Sequence, residues 1–300
     1  MTPMLGIIAS SISGNLAAPW TAATLPSSAN WIGATFDNGK FVVVAEGGTS
    51  AASSTDGITW TARTLNNGQS WRGVVGGGGY FVACSFNAGS GTKSFSRSSD
   101  GITWVAPTTN IRDNYIAIGY NSGTFASVVN NASSAATSTD SGDTWTNRTL
   151  PSSAYWYGIA GGSGFVTVSY YNNKAAYSSD GITWTASTLP TSDGYVGIAY
   201  GGGIFATCGD NTVSATSADN GATWTQRSMP SPGGYGAFAY GNGKFVAVKG
   251  GTDKAVTSPD GITWTLTKLP SVAPWGCVAA SSTKYVAMAE GTTKAAYIAN

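Results

Sequence analysis

The chain has 300 residues, 42% hydrophobic and 12% aromatic, with only 10% charged and a formal net charge of +1 at neutral pH. So weak a charge, with no long lysine or arginine run, leaves no electrostatic footprint for nucleic acid or an anionic membrane surface. Its 41 glycines, beside many serines and threonines, suit short strands joined by tight turns and leave little from which to build long amphipathic helices.

Residues 1–19 carry an apolar patch around Leu5 and Ile8 with no lysine or arginine before it, too short for a membrane span and unlike an ordinary signal peptide. The segment is expected to be an arm preceding the folded body. From residue 20 onward the chain repeats. Phe41, Phe81, Phe125, Phe165, Phe205, Phe245 and Tyr285 each open a run of small and β-branched residues. Every step between them is 40 residues except one of 44, where residues 87–93 mark an insertion and a candidate contact loop. Ten positions before these markers stand Trp31, Trp71, Tyr115, Tyr155, Tyr195, Tyr235 and Trp275. A period near 40 points to propeller blades or a solenoid.

Each unit reads as four short strands. In the first unit they begin at Trp31, at Phe41, near Ser50 and at Thr59, with Asn38-Gly39 supplying the hairpin turn between the first two. Seven such units predict an all-β fold, a seven-bladed β-propeller of four-stranded antiparallel blades over residues 20–300. The ends predict its closure. Lys294-Ala295-Ala296-Tyr297 matches the third-strand segment Lys174-Ala175-Ala176-Tyr177, and Trp20-Thr21-Ala22 matches the fourth-strand start Trp184-Thr185-Ala186. One blade is therefore expected to be shared by the N- and C-terminal strands, which removes the open edges of a linear array.

Between the third and fourth strands lies a box that ends in Trp60, Trp104, Trp145, Trp184, Trp224 and Trp264. Ser138-Thr139-Asp140-Ser141-Gly142-Asp143-Thr144-Trp145 shows the longer form, and Ser54-Thr55-Asp56-Gly57-Ile58-Thr59-Trp60 the form one residue shorter. The pattern resembles the Asp box of sialidase-like (BNR) propellers. That resemblance implies a turn on the face away from an active site, so Asp56, Asp100, Asp140, Asp180, Asp219 and Asp260 are assigned structural roles, capping turn amides while the glycine takes a left-handed conformation. In style the repeats also resemble those of bacteriophage tail and bacterial surface proteins.

The residues for catalysis are sparse. There is no histidine, which excludes Ser-His-Asp and Cys-His schemes and the commonest metal ligand. Cys84, Cys208 and Cys277 have neither metal-site nor disulfide-framework spacing and read as buried free thiols. Arg63, Arg148 and Arg227 fall on outer strands, leaving Arg72 and Arg112 near the starts of inner ones. The two glutamates, Glu46 and Glu290, both follow a marker by five residues and fall in adjacent units if the ring closes. A glycosidase pair would need two such carboxylates, but solvated loop ends are the simpler reading, so no catalytic residue, metal or cofactor is expected.

What remains is a surface. The seven inner-strand aromatics Trp31, Trp71, Tyr115, Tyr155, Tyr195, Tyr235 and Trp275, with Glu46 and Glu290 and polar loops around them, form the candidate ligand-binding set. Aromatic faces beside polar groups suit a sugar. The resemblance to phage tail repeats adds the expectation of a non-enzymatic virion protein. Its arm would meet other virion proteins and its propeller a host-surface glycan, at the virion or otherwise the cell surface. A lectin-like propeller outside a virus and a sialidase-like hydrolase are the alternatives.

Overall fold

The computed structural model describes residues 20–86, 93–108, 111–209 and 211–299, and their regular structure is all β. The first strands are β1 (Thr21–Asp37), β2 (Lys40–Glu46), β3 (Gly48–Ser54), β4 (Thr61–Gly77), β5 (Tyr80–Phe86) and β6 (Phe95–Ser98). They are followed by β7 (Tyr115–Asn121), β8 (Thr124–Ser138), β9 (Thr146–Gly161), β10 (Phe165–Ser169), β11 (Lys174–Ser178) and β12 (Thr185–Thr188). Next come β13 (Gly197–Gly201), β14 (Ile204–Cys208), β15 (Val213–Ser217), β16 (Thr225–Ser228), β17 (Ala237–Gly241), β18 (Lys244–Val248), β19 (Thr252–Ser258) and β20 (Thr265–Ala273). The chain ends in β21 (Trp275–Ala280), β22 (Lys284–Ala289) and β23 (Thr292–Ala299). The arm assigned to residues 1–19 and most of the insertion, residues 87–92, lie outside the described residues.

All pairings between these strands are antiparallel, but the expected division into seven four-stranded blades closed by the terminal strands is corrected by the hydrogen bonding. The strands form one sheet of nine in the order β21-β22-β23-β1-β2-β3-β4-β5-β6, one of six in the order β12-β11-β10-β9-β8-β7, and two of four. The reason lies in the connectors. β1 and β4 run for 17 residues each, because their polar stretches stay extended and paired on both sides. Thus β1 pairs with β23 from Thr21↔Tyr297 to Ala29↔Thr292, then with β2 from Asn30↔Glu46 to Asp37↔Lys40. Where Asp193-Gly194 or Pro232-Gly233-Gly234 breaks the extended run, the ladder stops and a four-stranded sheet stands alone.

The first strands of successive hairpins surround one axis. β1 touches β4, β4 touches β7, and the contacts continue through β9, β13, β17 and β21 back to β1. The core lies between neighbouring hairpins. Trp71, for example, packs with Phe81 of its own hairpin and with Val42 and Val44 of the one before. The inner aromatics also fasten the connectors that precede them. The indoles of Trp31, Trp71 and Trp275 donate to the carbonyls of Ser27, Asn67 and Ser271, and the hydroxyls of Tyr195 and Tyr235 meet those of Thr191 and Ser231. Such a partner satisfies the polar tip of a buried ring.

The six aspartates share one turn. The hydroxyl of Ser54 donates to Oδ1 of Asp56 at 2.8 Å, and the same oxygen accepts from the amides of Ile58 and Thr59, both at 2.8 Å. Asp100, Asp180 and Asp260 repeat this scheme, while Asp140 and Asp219 span the longer turn to Thr144 and Thr223. The register places these turns at one end of the molecule. Phe41 pairs with Ser54 just before the first box, whereas Glu46 pairs with Asn30 at the opposite end of the same strand.

Candidate functional site

Five of the inner strands carry a bulge after the aromatic. Pairing slips between Trp31 and Gly33, Trp71 and Gly73, Tyr115 and Ala117, and Trp275 and Gly276-Cys277, and between Trp156 and Gly158 in β9. A bulge leaves one residue outside the ladder and re-aims its side chain. Those residues, Ile32, Arg72, Ile116, Tyr157 and Gly276, all line a 380 Å³ cavity on the central axis, together with Val196 and Gly236 at the matching positions. Below them the wall is apolar, from Ala34, Val74, Ile118, Ile159, Ile198, Phe238 and Val278.

One charged group stands in this bulge ring. Arg72 places Nη2 2.7 Å from Oε1 of Glu46, and its guanidinium lies 5.6 Å from the centre of the Phe86 ring. Glu290 also lines the cavity. Its carboxyl occupies the room a side chain at position 276 would need, since a Cβ on Gly276 would stand 2.4 Å from Oε1 of Glu290. Burial raises the pKa of Glu290, Arg72 pulls it back down, and the nearby Glu46 pushes it up again. The structure therefore brings Glu46 and Glu290 together around Arg72. Arg112, in the loop before β7, is absent from the cavity wall.

The aromatics fare differently. Trp31, Trp71, Tyr115, Tyr195, Tyr235 and Trp275 are buried between hairpins, so their faces are not open for a sugar to stack on, and the expectation of a stacking ring is corrected by packing. Tyr155 is 39% exposed, and the buried member of its hairpin is Trp156 at 0%. The β9–β10 turn is one residue shorter than the others: Gly161 pairs with Phe165 across three residues, whereas Phe36 pairs with Phe41 across four. Counting ten back from Phe165 therefore lands one residue early. Tyr155 instead joins a run of tyrosines that leads outward from the channel. Tyr157 lies 5.4 Å from Tyr170, Tyr170 4.3 Å from Tyr171, and Tyr171 5.1 Å from Tyr155, measured between ring centres.

Among the described residues, no group of three or more Cys, Asp or Glu side chains is placed to hold a metal ion, and no helix is long and apolar enough to cross a membrane. The three cysteines are buried thiols that form no disulfide with one another. Burial pushes the Cys84 thiol up to about 12 and raises that of Cys277 further, with the Glu290 charge adding to the effect. A water-soluble thiol reagent at pH 8 is expected to modify none of the three in the folded protein and all three after denaturation. A rapidly reacting native thiol would show that this packing is wrong.

No family model matches the chain, and no curated protein matches it. Solved structures do. Selenomethionine-substituted virginiamycin B lyase from Staphylococcus aureus aligns with a TM-score of 0.80 at 15% identity, over 94% of this chain and 99% of that one. The catalytically inactive histidine-to-alanine variant of that lyase with quinupristin gives 0.78 at 15%, over 93% and 98%. YCF48 bound to D1 peptide gives 0.71 at 16%, over 94% and 96%. The fold is a β-propeller. These neighbours are an enzyme and a peptide-bound protein, not tail proteins, so the expectation of a virion tail component is overturned.

Proposed function

We propose that this protein is a non-catalytic binding propeller that holds a segment of a partner protein at the mouth of its central channel. The observation that carries the reading is the channel-facing ring: one residue per hairpin lines a cavity of mixed polar and apolar surface whose charged side chains are Arg72, paired with Glu46, and Glu290. Concave, largely apolar sites with a few fixed polar groups are where ligands bind. The complex of YCF48 with D1 peptide supports the protein-segment class, since it is a propeller with a peptide partner. Against catalysis stands the missing histidine, because the related fold in virginiamycin B lyase is inactive in a histidine-to-alanine variant. The six like turns further support descent of the repeats from Asp-box propellers.

Position 236 offers a test. A Cβ on Gly236 meets nothing within 4 Å and the residue lines the cavity, so a side chain there starts in open space at the channel wall. Gly236→Trp is expected to keep stability within about 0.5 kcal/mol and to abolish capture of every peptide that the unaltered protein selects from a synthetic peptide array. Selection of the same peptides by the plugged variant would refute the channel as the site. Mass spectrometry of the bound peptides is expected to find them unchanged, and turnover would overturn the non-catalytic assignment.

A further inference from the structure

We propose that the feature recognised in the channel is an alkylammonium group, the side chain of a lysine on the bound segment, seated against Glu290. The inference rests on the channel-binding reading and names its ligand. Arg72 is already neutralised by Glu46 at 2.7 Å and covered by the Phe86 ring at 5.6 Å. Among the described residues, the carboxylate of Glu290 has no hydrogen-bond or ion-pair partner, though it stands at the wall of the cavity. The charge left over in the channel is therefore negative.

The shape beside Glu290 suits a thin, unbranched chain. Gly234, Gly236, Gly250 and Gly276 line this side of the cavity with no side chains of their own, and Phe238 supplies an apolar wall along which four methylenes can lie. The ligand's charge follows by elimination. An anionic group would meet Glu290 and Glu46 and find its one counter-charge engaged. A neutral apolar side chain would strip water from an unpaired carboxylate with nothing in return. An ammonium is a compact point charge that a single carboxylate oxygen can hold, whereas a planar guanidinium pairs best with both oxygens, and Oε1 of Glu290 is packed against Gly276. Burial already raises the pKa of Glu290, and a bound cation relieves that cost.

The experiment is an NMR titration of the whole protein with capped pentapeptides that differ only in their central residue: lysine, Nε-acetyl-lysine, norleucine or arginine. The lysine peptide is expected to bind at least roughly tenfold more tightly than the other three. Glu290→Gln is expected to erase that preference while the fold persists, as read from an unchanged spectrum for residues of the opposite end. Equal binding of norleucine and lysine, tighter binding of arginine, or a preference that survives Glu290→Gln overturns the lysine assignment and leaves channel binding standing. Lysine-peptide binding that survives Gly236→Trp instead removes the channel, and this inference with it.

Discussion

Trp156→Ala is expected to cost about 3–5 kcal/mol of stability, as truncation of a fully buried aromatic does, while Tyr155→Ala next to it costs less than about 1 kcal/mol. Trp156 has no exposed surface and packs among Ile116, Val128, Leu150, Phe165 and Trp184, side chains that belong to two successive hairpins. Removing the indole opens a cavity between layers that the extended strands cannot close, because each is held by ladders on both sides. Tyr155 is 39% exposed and loses chiefly an edge contact with Tyr171. Urea unfolding of both variants measures the contrast. Equal losses, or a larger loss for Tyr155→Ala, would mean that the fourth hairpin is in the register the plain repeat count suggests.

That one-residue difference shows where the sequence is legible. The hairpins were readable because their turns have a chemical signature: Asn38-Gly39 and Asn242-Gly243 both take positive φ, a conformation open to few residue types. The boxes were readable for the same reason, since Ser, Asp and Gly each do a definable job in the turn. The Gly162-Ser163-Gly164 turn has no positive φ and is shorter, so a count keyed to Phe165 misplaces the inner aromatic. Sheet division was hidden because it depends on whether a polar connector stays extended, as residues 27–30 do, or is broken, as at Asp193-Gly194, and the repeat period does not register that difference.

The channel was half legible. Arg72, Glu46 and Glu290 stood out by scarcity, but the bulge that turns residue 72 inward changes only one hydrogen-bond pair. A signal exists in Trp31-Ile32-Gly33, Trp71-Arg72-Gly73, Trp156-Tyr157-Gly158 and Tyr195-Val196-Gly197, an aromatic, one variable residue and a glycine. The glycine is needed where adjacent inner strands approach: a Cβ on Gly33 would stand 3.1 Å from the Arg72 carbonyl oxygen. The variable residue between them is the one that faces the channel. The phage-like style of the repeats came from the boxes, which lie at the other end, where their aspartates hold the turns.

Acid is expected to unfold this protein through those boxes. Ile58's amide, opposed by partial burial and then joined by Thr59's amide and Ser54's hydroxyl, lowers the pKa of Asp56 from 3.8 to about 2. Asp100, Asp140, Asp180, Asp219 and Asp260 are lowered as well. A folded-state pKa below the unfolded one stabilises the fold above the unfolded value, and that contribution is lost as pH falls through the folded value. The window therefore runs from about pH 4 down to about pH 2. At even about 0.5 kcal/mol for each of these exposed turns, the set is worth about 3 kcal/mol, a fall of roughly 5–10 °C in midpoint temperature. Glu290 acts with the opposite sign. Its pKa is raised in the fold, so protonation on the way down from neutral pH favours the folded state and gives a small rise before the fall. Because the two effects sit at opposite ends of the molecule, they separate by mutation. Glu290→Gln should remove the rise and keep the fall, whereas Asp56→Asn should make the acid limb shallower and keep the rise. Melting curves from pH 7 to pH 2.5 decide it: an unchanged midpoint at pH 2.5 would show that the carboxylates do not hold the turns.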